Sequence, residues 1–132
     1  MGIDIYVKKD GKDIFFEGLG SGTNFYKMRL AIQHSLENGQ RGSRFPILQM
    51  TPDSEAEFTM EETCALKSEV ETVIREKDNL LKDYKGIPYQ ELEGVVPKDF
   101  TFSRDAIIDR MEVILKGCEM AIISGGTLGW FY

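Results

Sequence analysis

Residues 39–50 read GQRGSRFPILQM, and the order of elements in the fold turns on how they are read. Two glycines bracket Arg41, Arg44 follows Ser43, and Phe45-Pro46 opens an apolar run. Three readings are open: a phosphate cradle, a basic recognition loop, or a turn that leads a helix into a strand. A phosphate cradle needs a helix N-terminus after the glycines. "FPIL" instead reads as the start of a strand, with Pro46 at its edge or first position. Gly39 and Gly42 then serve the turn, Phe45, Ile47 and Leu48 enter the core, and Arg44 ties the loop down by hydrogen bonds. A direct binding role for the loop is the alternative.

Working outward, residues 3–7, "IDIYV", alternate as a strand. "KKDGKD" supplies a turn and "IFFEG" a second strand, so the first 18 residues read as a β-hairpin. Asn24 is the expected N-cap of a first helix carrying Phe25, Met28, Ile32 and Leu36 at helical spacing, with Gly39 past its end. "RFPILQM" is the third strand and "TPDSEAEFT" a loop. Thr59 and Glu62 form a capping box for a long second helix over roughly residues 60–84. Its stripe is Leu66, Val70, Val73, Ile74, Leu81 and Tyr84, ended by Gly86 and Pro88. An irregular connection follows. Ser103 caps a third helix with Ile107, Met111, Ile114, Cys118 and Ile122 inward, widened by Ile108 and Leu115. "GGTLGWFY" closes the chain as a short strand. The expectation is a single small α+β domain over residues 1–132, in the order β-β-α-β-α-α-β. About four strands form an antiparallel or mixed sheet, with three helices mainly on one face.

The chain has 132 residues, 42% hydrophobic and 29% charged, enough for one buried core. No apolar run reaches the roughly 18–20 residues of a membrane span. The order of charge and apolar residues in "MGIDIYVKKD" is wrong for a secretory signal, and Tyr6 stands where a myristoylation motif wants Ser or Thr. Cys64 and Cys118 read as small buried thiols in a reducing, cytoplasmic setting, a disulfide being the alternative.

Charge is unevenly spread. The net charge is −6; residues 1–50 carry +2, residues 51–84 carry −6, and residues 85–132 carry −2. Such an acidic stretch repels nucleic acid and membrane phosphates and attracts basic partners, unless it is merely a solvated helix face.

Signs of catalysis are absent. His34 is the only histidine and reads as a helix-surface residue. No zinc spacing or nucleophile elbow occurs. Asp53, Glu55 and Glu57 alternate like a calcium loop, but Phe58 and Cys64 stand where that loop needs Gly and Glu. "GLGSGTN" misses the third glycine of a dinucleotide fingerprint, and "GGTLG" lacks the P-loop lysine. No enzyme, metal or cofactor is expected.

"GSRFPILQM", the short acidic loop after it, and "FTMEETCALKSEVETV" together resemble the G-S-R-F-P-x-L string and Glu-rich helix of a predicted bacterial immunity-protein family of polymorphic toxin systems, immunity protein 70. The string itself is Gly42, Ser43, Arg44, Phe45 and Pro46. "MGIDIYV" and the last helix leading into a terminal strand resemble that family too. Around residues 53–58 the family pattern has a glycine and an aromatic, and only Phe58 answers. The resemblance implies a non-catalytic protein that binds a cognate toxin domain and blocks it, nucleases with basic surfaces being one kind of target. The acidic candidates for the partner face are Asp53, Glu55, Glu57, Glu61, Glu62 and Glu69. A small-molecule-binding or regulatory domain is the rival reading, as is an adaptor with Met50, Phe58 and Met60 as an exposed apolar patch.

Overall fold

Two residues, Asp10 and Gly11, both with positive φ (53° and 77°), turn the first strand back on itself. This is the two-residue hairpin connection whose twist matches that of its strands. It joins β1 (Gly2–Lys9) to β2 (Lys12–Ser21). The structure, a computed structural model, describes residues 2–80 and 104–132. After the hairpin come α1 (Gly22–Leu36), α2 (Pro46–Met50), β3 (Glu55–Glu57), α3 (Met60–Arg75), a 3₁₀ turn (Lys77–Asn79), α4 (Arg104–Ser124) and β4 (Thr127–Phe131). The four strands form one antiparallel sheet in the order β2-β1-β4-β3. The protein is therefore α+β, and the C-terminal strand lies between the first strand and the shortest one.

One face of the sheet is the core. Ile3, Ile5 and Val7 of β1 and Leu128 and Trp130 of β4 are fully buried there. Phe25 of α1 and Phe58 meet the Trp130 ring edge-on, at centroid distances of 5.5 and 4.9 Å. The indole Nε1 donates to the Pro52 carbonyl at 2.7 Å, so the polar edge of the buried ring is satisfied. α4 presents Ile107, Met111, Ile114 and Cys118 inward. At Gly117 an added Cβ would sit 3.2–3.3 Å from Leu128, Ile5 and Phe15, which lets the helix lie close on the sheet.

The structure corrects several sequence readings. Residues 46–50 are a short helix, and the third strand is Glu55–Glu57, within the segment read as a loop. The element order survives with α2 added. Pro46 sits in the first turn of α2, where its fixed φ helps and its missing N–H costs nothing. Ser21 caps α1, and its hydroxyl accepts from the Asn24 amide at 3.1 Å; Asn24 is inside the helix. α3 does carry the Thr59–Glu62 capping box, but it ends at Arg75. Leu81, Tyr84, Gly86, Pro88 and the Ser103 cap lie outside the described residues. On α4, Ala121 takes the inward position and Ile122 is exposed, because the helical period of 3.6 carries residue 122 past the apolar face. Cys64 is exposed, while Cys118 is buried; only Cys118 lies on a core-facing stripe. Phe58 is buried against Trp130, so it cannot belong to an exposed patch with Met50 and Met60. Among the described residues no helix is long and apolar enough to cross a membrane.

Candidate functional site

The GSRFP loop is held by carboxylates from elsewhere in the chain. Glu37, at the end of α1, is only 2% exposed. Its Oε2 accepts from the backbone amides of Arg44 (3.0 Å) and Phe45 (3.1 Å), and its Oε1 accepts from Gln49 Nε2 (2.9 Å). Glu69 of α3 accepts from the amides of Ile47 (3.2 Å) and Leu48 (2.9 Å). Pro46 has no amide. Every N–H from residue 44 to residue 48 is thus directed at a carboxylate, and this favours a helix start over a strand edge. Burial, the largest influence, raises the Glu69 pKa; the two amides oppose it, and Glu37 adds to it.

The Arg44 side chain reaches elsewhere. Its guanidinium donates to the Leu36 carbonyl (3.0 Å) and makes a paired contact with Glu76 (3.0 and 2.5 Å). The hydrogen bond from Arg44 holds the Glu76 carboxyl below its ordinary range. Phe45 is buried under the Arg44 guanidinium, 5.0 Å from its ring centroid. Gly42 has φ 79°, and a Cβ there would reach Met50 Cγ at 3.0 Å, so the turn accepts no larger residue without rearrangement. These contacts brace the loop against α1 and α3.

Arg29, buried on α1, lines a pocket of about 270 Å³ with Tyr26, Gln33, Arg41, Gln49 and Asp53. Its guanidinium stacks over Phe25 at 4.5 Å and donates to the Thr51 carbonyl at 2.6 Å. Desolvation lowers its pKa to about 10, opposed by the field of Asp53.

The six acidic candidates separate into distinct environments. Glu55 and Glu57 are exposed on β3 and Glu61 is exposed on the first turn of α3. Glu62 accepts from the Thr59 amide in the capping box (2.9 Å). Asp53 faces the Arg29 pocket, and Glu69 is the half-buried brace of α2.

The register places Glu55 and Glu57 beside residues that no single segment of sequence brings together. On the face opposite the core, one row across the sheet is Phe16, Tyr6, Gly129 and Glu57, and the next is Gly18, Asp4, Phe131 and Glu55. Lys8 pairs with Asp13 and Thr127 in a third row. Phe131 lies 5.9 Å from Tyr6 and 6.1 Å from Phe16 between ring centroids. Gly129 makes room for the Tyr6 ring: a Cβ there would collide with the Tyr6 hydroxyl end. Burial, then the fields of Glu57, Glu55 and Asp13, raises the Tyr6 pKa.

A family model described as Immunity protein 70 matches residues 4–106, most of the chain. The chain belongs to the Immunity protein 70 family. Membership identifies it as an immunity-type protein directed at a toxin. The match runs from β1 through both carboxylate braces and into the start of α4. No curated protein and no solved structure matches this Immunity protein 70 member. Among the described residues, no group of three or more His, Cys, Asp or Glu side chains is placed to hold a metal ion.

Proposed function

We propose that this chain is a non-catalytic inhibitor that binds the toxin domain of a polymorphic toxin system in the cytoplasm of the producing cell and blocks it by occupying its surface. The target surface is basic, as a nuclease active site is. The observation that carries this reading is that Glu55, Glu57 and Glu61 are all exposed and none is in an ion pair among the described residues. These side chains lie in the segment that holds −6 of charge. Uncompensated carboxylates on a rigid edge speed encounter with a cationic surface and set specificity.

The test is co-expression. Cells carrying the toxin domain encoded next to this gene should grow when this chain is also made and arrest when it is not. Continued arrest despite soluble inhibitor would reject the proposal.

A further inference from the structure

The helices pack on one face of the sheet, and the opposite face is left with exposed aromatic residues. Phe16 is 50% exposed and Phe131 37% exposed. Together with the half-buried Tyr6 they form a contiguous cluster spanning β2, β1 and β4. Scattered apolar residues on a surface are ordinary, but clustered aromatics mark interaction sites. The register surrounds this cluster with Asp4, Asp13, Glu55 and Glu57, while Lys8 is the one basic residue in the same rows. Lys8 also shows what the rings accept: its Nζ lies 5.4 Å from the Tyr6 centroid, within cation–π range.

We propose that this open sheet face is the docking seat for a cationic protein surface, on which arginine or lysine side chains of the partner stack against Phe16, Tyr6 and Phe131 and pair with Glu55 and Glu57. The inference rests on the reading above and makes that partner the toxin domain. The charge pattern chooses the occupant. A second copy of this chain would set four carboxylates against four, and a nucleic acid would meet the same repulsion. A basic protein gains from both the ring and the rim. The anchors are preorganised, because Phe131 directly follows the fully buried Trp130 and Tyr6 lies between Ile5 and Val7 on β1. Lys8 occupies space over Tyr6 that a partner cation would take.

The experiment uses the full chain and the catalytically inactivated toxin domain encoded beside it, with binding kinetics measured at two salt concentrations. Phe16→Ala with Phe131→Ala should weaken binding roughly 100-fold, chiefly through faster dissociation. Glu55→Lys with Glu57→Lys should slow association about tenfold at low salt, with a smaller gap at high salt. Lys8→Ala should bind at least as tightly as the parent. Glu71→Lys, on the exposed side of α3, should change little. Near-parental kinetics in both double variants, each folded by circular dichroism, would overturn the sheet-face seat and leave toxin neutralisation standing. A parent chain that does not bind the toxin would overturn both. Self-association of the parent that is lost in the phenylalanine double variant would assign the face to a second copy and also overturn the proposal.

Discussion

Glu37 should be the side chain on which the GSRFP loop most depends. Replacing it with Ala leaves the Arg44 and Phe45 amides without an acceptor and removes one of the two acceptors of Gln49 Nε2. Stranding a buried donor costs about 1–3 kcal/mol. The Phe45 amide is buried and the Arg44 amide partly so, which puts the sum at about 4 kcal/mol. For a chain of this length 1 kcal/mol corresponds to roughly 4 °C in Tm, so Glu37→Ala should melt about 15 °C lower. Glu37→Gln keeps one oxygen for the two amides but turns an NH₂ toward Gln49 Nε2, and should cost about 2 kcal/mol. Arg44→Ala is the contrast. It loses an ion pair whose side chains are 41% and 28% exposed, worth about 1 kcal/mol or less, and a hydrogen bond to the Leu36 carbonyl.

The assay is urea unfolding followed by the fluorescence of Trp130, the only tryptophan, with the m-value checked for two-state behaviour. The predicted order of cost is Glu37→Ala, then Glu37→Gln, then Arg44→Ala. If Arg44→Ala cost more than Glu37→Gln, the loop would hang on its exposed ion pair, and the argument from directed amides would be wrong.

Three further outcomes are expected. Gly129→Ala forces a methyl group against the Tyr6 hydroxyl end and to within 2.8 Å of the Ala56 carbonyl; it should cost about 2 kcal/mol in urea unfolding and speed amide exchange in β3. Ellman's reagent should titrate the exposed Cys64 in the native protein and reach Cys118 only after denaturation, since burial raises the Cys118 thiol pKa to about 12. Because the folded-state pKa of Glu69 is raised, its ionised form costs stability near neutrality, and that cost disappears as pH falls through the raised pKa toward the unfolded value. The parent should therefore gain stability relative to Glu69→Gln as pH falls from 7 toward about 4.5, and a relative loss in urea titrations would contradict the assignment.

Local signals in the sequence were sufficient where the structure is local. The Asp10-Gly11 turn, the Thr59–Glu62 capping box and the stripes of α3 and α4 depend on residues within a few positions of each other. "FPIL" was misread because its conformation is decided at a distance. Its amides are met by Glu37, eight residues before Phe45, and by Glu69, more than twenty residues after Ile47. Neither glutamate looks unusual in sequence. β3 was missed because Glu-Ala-Glu has no strand propensity of its own; pairing with β4 imposes it, including the Phe58 amide bond to the Leu128 carbonyl at 2.8 Å. The sheet-face cluster was illegible for a related reason. Phe16, Tyr6 and Phe131 come from three strands, and only the register across Gly129 brings them together. Glu55 and Glu57 were visible as acidic residues, but not as the rim of an aromatic surface.

The charge of residues 51–84 therefore divides by direction. Glu69 turns inward to hold α2, and Glu62 bends back to cap α3. Removing either should act on stability before it acts on recognition. Glu55, Glu57 and Glu61 face solvent, so their charge is free to act on a partner. A second consequence follows from where the aromatic cluster stands. Tyr6 and Phe131 alternate with fully buried core residues on strands that pack against helices. A partner docking there meets rings whose backbone is fixed before contact, and little further ordering of the sheet accompanies binding. The core that stabilises the fold thus also sets the geometry of the proposed seat, which is why a glycine at position 129, between the two, should matter to both.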